Sequence, residues 1–286
     1  MNALTMVNLT LLMDPTSGRP GIRIGLIDGP VATEHPDLAS TQIQKVTGNL
    51  GGCSRASSVA CLHGTFVAGV LCAKRDSKAP AISPGCTLLV RPIFTETDSA
   101  NSGGPNVTPQ ELASAIVEIV DAGAHVINLS AAPAHPSSKD ERTLEDALDY
   151  AARHGVITVA AAGNQGTLGT TTITRHPWVI PVAACDLEGR PTKESNLATS
   201  IGRRGLSAPG DGITSLGTDG KLISLGGTSA ATPFVTGTVA LLWSEFPRAS
   251  PTQVKLAITG GTSLRRNTLV PPLLNAWSSY QLLSRS

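Results

Sequence analysis

Aromatic residues are scarce in this sequence and make up 3% of its 286 residues. Lysine and arginine form no run, and the formal net charge is +1 at pH 7, so the charge pattern does not indicate a nucleic-acid or membrane partner. No stretch of about 18 uninterrupted apolar residues is present, so no membrane-spanning helix is predicted. Hydrophobic residues nevertheless make up 41% of the chain, which is enough for the core of a single enzyme domain.

Cysteine is also uncommon, and the five cysteines have no zinc-like spacing. Their odd number favours free thiols in the cytoplasm. Cys53 and Cys61 lie in one Gly/Ser-rich loop, so a local disulfide between them is the alternative. No Lys or Arg precedes the mildly apolar N-terminus, so no secretory signal is predicted and a cytoplasmic location is expected.

The six histidines form no His-x-x-x-His pair, so metal catalysis is not expected. No Asp-rich loop indicates a calcium site. The sequence therefore predicts no metal and no cofactor.

Apolar runs alternate with helical patterns along the chain. The predicted strands are residues 22–27, 87–93, 125–129, 156–161 and 179–184. The predicted helices are residues 64–73, 108–122, 140–154 and 228–246, with a last one from Ser250. This alternation predicts an α/β fold with a mostly parallel central sheet and helices on both faces. Residues 1–20 are interpreted as an N-terminal extension and residues 21–286 as one domain.

Two residues are candidates for an acid–base pair. Asp28 ends the first predicted strand, where a carboxylate can accept the Nδ1 proton of a histidine and fix its tautomer. His63 begins a predicted helix, where a ring titrating near neutrality can act as general base and then as general acid. Taken alone, capping the turn before Gly29 is the commoner role for Asp28, and a partly buried structural position is the commoner one for His63.

Two further residues suit a nucleophile and an anion donor. Ser229 begins a predicted helix after two glycines, where its hydroxyl is accessible and its backbone N–H is free. Asn164 directly follows a predicted strand, and its amide can donate to an oxyanion. Taken alone, helix N-capping is the commoner role for Ser229, and a turn is the commoner place for Asn164.

The four residues together are far more specific, because they occur in the order Asp, His, Asn, Ser within recognisable segments. These segments are Ile27-Asp28-Gly29, His63-Gly64-Thr65, Ile127-Asn128-Leu129-Ser130, Ala161-Ala162-Gly163-Asn164 and Gly227-Thr228-Ser229-Ala230-Ala231-Thr232-Pro233. Through them the sequence resembles the subtilisin-like serine peptidase family over roughly residues 21–259. The resemblance implies a subtilisin-like three-layer fold, a catalytic triad of Asp28, His63 and Ser229, and Asn164 in the oxyanion hole.

A narrower resemblance is carried by the segments Ile27-Asp28-Gly29-Pro30-Val31, His35-Pro36, Arg91-Pro92-Ile93-Phe94 and 122–130. These look like the subtilisin-like proteases that mature cyanobactins, which are ribosomal peptides. In that family one protease removes the leader and another cyclises the core, and the cyclising type carries an insertion over the active site. The short stretch between Asp28 and His63 leaves no obvious room for it, so the resemblance implies the leader-removing type. The expected partner is a peptide or protein substrate, with a leader-bearing precursor peptide as a candidate.

The resemblance also implies where a substrate binds. Subtilisin-like sites add an extended peptide as a strand, here along residues 129–132 and near residues 93–97. The substrate-binding residues implied are Leu129, Ser130, Ala131, Ala132, Ala160, Ala161, Ala162 and Gly163. These pocket walls contain no Asp or Glu, so a P1 Lys or Arg would be buried without a counter-charge. A small or medium uncharged P1 residue is expected.

Three positions depart from common subtilisin patterns. Phe66 stands where a second histidine is frequent, and Ala230 stands where methionine is frequent. Ser130-Ala131-Ala132 stands where a glycine often ends the segment, and the added methyl group narrows the pocket beside the scissile bond. None of these departures removes an atom of the triad.

Two alternatives use the same residues differently. The first is a catalytically silent module that holds a peptide in the same groove, which labelling of Ser229 by a fluorophosphonate would exclude. The second is an esterase or lipase of another α/β fold. Such enzymes place the serine before the acid and the histidine and use Gly-x-Ser-x-Gly, which is not found around Ser229.

Overall fold

The computed structural model describes residues 2–46, 52–96, 107–130, 138–260 and 268–285. The helices are α1 (Ala3–Met6), α2 (Leu9–Met13), α3 (Val59–Cys72), α4 (Pro109–Asp121), α5 (Ser138–Arg153), α6 (Thr172–Arg175), α7 (Thr199–Arg204), α8 (Thr228–Glu245), α9 (Pro251–Ile258) and α10 (Ala276–Leu283). The strands are β1 (Arg23–Asp28), β2 (Gln42–Lys45), β3 (Thr87–Pro92), β4 (Val126–Leu129), β5 (Ile157–Ala161), β6 (Ile180–Cys185), β7 (Leu206–Pro209), β8 (Ile213–Leu216) and β9 (Leu222–Leu225).

The central sheet has the strand order β2-β3-β1-β4-β5-β6-β7, and its neighbouring strands are parallel. Strand β1 lies between β3 and β4, with Ile27 opposite Leu129. Strands β8 and β9 form a separate antiparallel hairpin, which leads directly into α8. The predicted α/β fold with a mostly parallel sheet is therefore confirmed. Its strands end on one edge, where parallel sheets place their sites.

Successive residues of β1 point to opposite faces of the sheet, as the two-residue period of a strand requires. Leu26 packs in one apolar layer with Phe66 of α3 and Phe234 of α8. Ile27 packs in the other layer with Leu112 of α4. Helices therefore cover both faces, and no helix of the described residues is both long and apolar enough to span a membrane.

The first residues of the chain belong to the same apolar layer as α8. Val7, Leu9 and Leu12 are fully buried there. The N–H of Ala276 donates to the carbonyl oxygen of Val7 at 2.9 Å, which joins the start of the chain to α10. The division at residue 20 stays a prediction, but residues on both sides of it contribute to one core.

The helix that carries His63 begins earlier than predicted. It starts at Val59 rather than at residue 64, and Ser58 caps it by accepting a hydrogen bond from the N–H of Cys61. His63 therefore lies within the helix. Small and apolar residues run through this segment without a helical period, so the pattern alone does not show where the helix begins.

The two predicted capping boxes differ in the structure. Ser250 and Gln253 form both reciprocal hydrogen bonds at the start of α9. At α4, Thr108 caps the N–H of Glu111, but the Glu111 carboxylate instead lies 2.9 Å from the buried guanidinium of Arg91. A long-range ion pair has therefore replaced half of the local motif.

Two of the five cysteines are paired. Cys53 and Cys61 form a disulfide with their Cα atoms 5.5 Å apart, within the usual range for this bond. Cys72, Cys86 and Cys185 are free and buried. The expectation of free thiols thus holds for three cysteines and is wrong for the pair, where the alternative of a local disulfide is correct.

Candidate active site

Asp28 is the last residue of the central strand β1, and its side chain is completely buried. Its Oδ1 atom accepts a hydrogen bond of 2.6 Å from the N–H of Gly29. The same oxygen lies 2.6 Å from Nδ1 of His63. Because a carboxylate only accepts, Nδ1 carries the proton and Nε2 keeps its lone pair.

His63 is brought to Asp28 by close backbone packing within the first half of α3. A Cβ atom at Gly64 would clash with the carbonyl oxygens of Gly29 and Pro30, so glycine lets the helix approach the end of β1. About a quarter of the His63 side chain remains exposed, at 26%. The ring is therefore held by Asp28 at Nδ1, while part of the side chain remains accessible from the cleft.

The charge of Asp28 changes the basicity of the ring. Burial lowers the pKa of His63, but the Asp28 carboxylate and its hydrogen bond more than offset this, so the pKa is raised above its usual 6.5. Since the folded-state pKa is raised, the pair stabilises the fold fully below pH 6.5. It loses that contribution as the pH rises through the His63 pKa.

We expect the kcat/KM of this site to rise with pH through the neutral range, with a midpoint above 6.5. The base must be neutral to accept a proton, and kcat/KM reports groups of the free enzyme. The measurement is a rate profile between about pH 5 and 8, with tryptophan fluorescence checking that the fold is unchanged. A flat profile would contradict the role of His63 as the base.

Ser229 lies in the first turn of α8 and is half-buried. The N-cap is Gly227 rather than Ser229, and Gly227 has φ 96°, a conformation that favours glycine. The Ser229 N–H is among the first N–H groups of a helix, which have no partner within the helix. The serine is thus free of a capping role and sits where the helix dipole favours negative charge.

Asn164 is exposed directly after β5, and its amide orientation is fixed by Thr228. Its Oδ1 accepts from the Thr228 N–H at 2.8 Å and from the Thr228 hydroxyl at 2.9 Å. Because a backbone N–H can only donate, the amide oxygen must face Thr228 and the Nδ2 group must face away from it. The Nδ2 group and the Ser229 N–H are the two donors that can meet an oxyanion.

A buried polar chain joins the end of β4 to α8. Thr236 donates to Oδ1 of Asn128 at 2.9 Å, and Asn128 donates to the hydroxyl of Ser130 at 2.8 Å. The Ser130 hydroxyl lies 3.4 Å from the carbonyl oxygen of Ser229. Since residue 130 follows Leu129, which pairs with Ile27, this chain places the start of α8 beside the end of β1.

The structure therefore places Asp28, His63, Asn164 and Ser229 at one edge of the sheet. Among the described residues no hydrogen bond joins His63 to Ser229. Catalytic hydrogen bonds are often long without substrate and tighten when it binds. Sequence reasoning missed Thr228 and Thr236, although Thr228 precedes Ser229 in the same motif.

The predicted substrate pocket is only partly described. Ala131 and Ala132 lie outside the described residues. The side chains of Leu129 and Ala160 are completely buried, so they support the cleft from the core rather than face it. The roles of Ser130, Ala161, Ala162 and Gly163 in binding substrate stay a prediction.

One group of described residues has the ligand atoms for a metal ion. The sulfur atoms of Cys53 and Cys61 and a carboxylate oxygen of Glu96 lie within 4.8 Å of one another. The two sulfurs are joined in the disulfide, and Glu96 accepts from the N–H groups of Ser54 and Arg55 at 2.8 and 3.0 Å. These bonds hold the loop before α3 in place. They also occupy the candidate ligand atoms, so the group does not favour a metal.

A family model described as the subtilase family, Peptidase_S8, matches residues 19–265. A thermostable alkaline protease of Halalkalibacterium halodurans is 31% identical over 87% of this chain and 66% of its own length. A thermophilic serine proteinase of Bacillus sp. (strain AK1) is 34% identical over 81% of this chain and 54% of its own length. The chain thus spans between half and two thirds of these two relatives.

Solved structures also resemble the chain. The prenylagaramide maturation protease PagA has a TM-score of 0.82 and 29% identity, with 96% of this chain and 98% of that chain covered. A mutant of the protease domain of PatA has a TM-score of 0.82 and 30% identity, with 94% and 97% covered. The PatG macrocyclase domain shares the fold with a TM-score of 0.82 at 20% identity.

Proposed function

Because the chain belongs to the subtilase family, we propose that it is a serine endopeptidase that hydrolyses peptide bonds through an acyl-enzyme at Ser229. The observation that carries the proposal is the hydrogen bond between buried Asp28 and His63. It lies at the sheet edge that also holds Ser229 and Asn164.

The geometry supports the following acyl transfer. Nε2 of His63 takes the Ser229 hydroxyl proton as Oγ bonds to the substrate carbonyl carbon, and Asp28 stabilises the imidazolium. The developing oxyanion accepts hydrogen bonds from Asn164 Nδ2 and the Ser229 N–H. His63 then protonates the leaving amine as the C–N bond breaks. A water molecule, deprotonated by His63, then bonds to the acyl carbon, and His63 returns the proton to Oγ of Ser229 as the ester C–O bond breaks.

The proposed substrate is a ribosomally made precursor peptide, cut between its leader and its core. PagA, which is similar along nearly its whole chain, is named as a maturation protease, and a protease domain of PatA is similar to the same extent. A leader–core junction is an exposed, extended segment, which suits binding as an added strand.

The proposed P1 residue is small or medium and uncharged. Ser130 and Ala160–Gly163, the described residues of the predicted pocket, carry no carboxylate. A buried Lys or Arg would therefore lack a counter-charge.

A peptide library tests both proposals. We expect cleavage within an extended segment and a product profile dominated by uncharged P1 residues, with a matched P1 Lys peptide cut far more slowly. A profile dominated by P1 Lys or Arg would contradict the pocket assignment. Peptide binding with neither hydrolysis nor fluorophosphonate labelling of Ser229 would identify a silent recognition module instead.

A cytoplasmic location stays a prediction. The disulfide between Cys53 and Cys61 counts against it, because such bonds are commoner in oxidising compartments.

A further inference from the structure

Asn196 is a nearly buried side chain, 7% exposed, that uses both ends of its amide on the loop carrying Asn164. Its Oδ1 accepts from the N–H groups of Gln165 and Thr167 at 3.1 and 3.0 Å and from the Thr167 hydroxyl at 3.1 Å. Its Nδ2 donates to the carbonyl oxygen of Ala162 at 3.2 Å and to Oε1 of Gln165 at 2.6 Å. These contacts lie on both sides of Asn164 in the chain.

The backbone of the same segment continues the attachment. The N–H of Asn196 donates to the carbonyl oxygen of Gly163 at 2.9 Å. The N–H of Gly166 donates to the backbone carbonyl oxygen of Glu194 at 2.8 Å. The N–H of Leu197 donates to Thr167 at 3.1 Å. The loop of residues 162–167 is therefore hydrogen-bonded along its length to residues 194–197.

These hydrogen bonds matter for the conformation of the loop because two glycines lie close to Asn164. Gly163 has φ 104° and Gly166 has φ 62°, and glycine loses more conformational freedom on ordering than any other residue. A Cβ atom at Gly163 would also clash with Nδ2 of Asn196, so glycine allows Asn196 to lie directly against the loop. Asn164 itself is exposed. Thr228 holds its amide oxygen and accepts from the Gly163 N–H at 3.1 Å, but it makes no hydrogen bond to the described backbone of residues 165–167.

We propose that Asn196 is a positioning residue for catalysis, which fixes the 162–167 loop so that Nδ2 of Asn164 stays aimed at the oxyanion. This inference rests on the proposed role of Asn164 as an oxyanion donor. Thr228 holds the Asn164 amide and the Gly163 N–H, whereas Asn196 holds backbone groups both before and after Asn164. Among the described residues, no hydrogen bond joins Asn196 to Asp28, His63 or Ser229, so its effect on catalysis would pass through the loop.

The expected effect is on turnover rather than on binding. Removing one oxyanion donor lowers kcat about 10²- to 10³-fold, so Asn164→Ala is expected to do so with little change in KM. Loss of alignment by a distant change can lower the rate by up to about 10²-fold. Asn196→Ala is therefore expected to lower kcat about 10- to 100-fold, again with little change in KM.

A double-mutant cycle on one peptide substrate tests the inference. We expect Asn196→Ala to lower kcat in the wild-type background but to change it less than about twofold in the Asn164→Ala background, because residues that act through one another are not additive. Asn275→Ala is the matched control. It removes the same kind of side chain, but Oδ1 of Asn275 caps α10 by accepting from the Ser278 N–H at 3.0 Å and makes no hydrogen bond to the 162–167 loop, so kcat is expected to stay unchanged.

The outcomes separate the two claims. If Asn164→Ala leaves kcat unchanged, the oxyanion assignment is wrong and the positioning role falls with it. If Asn164→Ala lowers kcat while Asn196→Ala has the same effect in both backgrounds, only the positioning role is wrong. If Asn196→Ala does not fold, Asn196→Ser takes its place under the same criterion, because a hydroxyl retains one accepted hydrogen bond and adds no charge.

Discussion

Ser229→Ala is expected to abolish peptide hydrolysis while the fold survives. The substitution removes the nucleophile, and we expect a loss on the order of 10⁶-fold in kcat, the size found when the nucleophile of subtilisin is removed. Gly227, not Ser229, is the N-cap of α8, and the Ser229 hydroxyl makes no hydrogen bond with any described residue. Its truncation should therefore cost less than about 1 kcal/mol of unfolding free energy, the typical value for loss of a capping serine.

The measurement combines a peptide-cleavage assay, fluorophosphonate labelling and thermal unfolding. Ser278→Ala provides the control, because it removes an exposed serine hydroxyl in α10 and should leave cleavage and labelling at the wild-type level. Cleavage by Ser229→Ala at the wild-type rate would overturn the assignment of the nucleophile.

Much of the sheet could be predicted because its strands are continuous apolar runs. The predicted strand at residues 22–27 differs from β1 by one residue at each end. The five predicted strands occur in the predicted order, but β2, β7, β8 and β9 were not predicted. The edge strand β2 and the separate hairpin were harder to predict from the sequence. Strand β2 is largely exposed and lacks an apolar run, and the short strands of the β8–β9 hairpin give little periodicity.

The proposed triad residues could be singled out because each lies in a local motif, whereas their supporting contacts could not. Asn196 meets residues 162–167, and Thr236 meets Asn128, across long separations in the chain. Asn196 is one of several polar residues in a loop, and Thr236 is one of several threonines within α8, so no local pattern distinguishes these two. Helix α10 was also not predicted. It packs against α2, and its Ala276 N–H donates to the carbonyl oxygen of Val7.

Asp28→Asn is expected to lower kcat on the order of 10⁴-fold, the size found for the same change in a serine protease triad. In this structure Oδ1 of Asp28 accepts from both the Gly29 N–H and His63 Nδ1, while Oδ2 is buried with no partner among the described residues. An asparagine that keeps its oxygen at the Oδ1 position puts an unsatisfied NH₂ group at the Oδ2 position. One that reverses its amide sets two donors against each other and turns the histidine to the wrong tautomer. Either arrangement removes the charge that stabilises the imidazolium.

The pH profile distinguishes this loss from simple misfolding. Burial lowers the pKa of His63 and the Asp28 charge raises it, so the variant should retain only the lowering effect. The midpoint of its residual kcat/KM should shift to lower pH than in the wild type. Glu34→Gln is the matched control, because it removes an exposed carboxylate whose side-chain contact is a 3.5 Å hydrogen bond from Thr33. The control should leave both kcat and the midpoint unchanged. An Asp28→Asn enzyme with an unshifted midpoint, or with kcat within about tenfold of the wild type, would show that Asp28 does not set the charge and tautomer of His63.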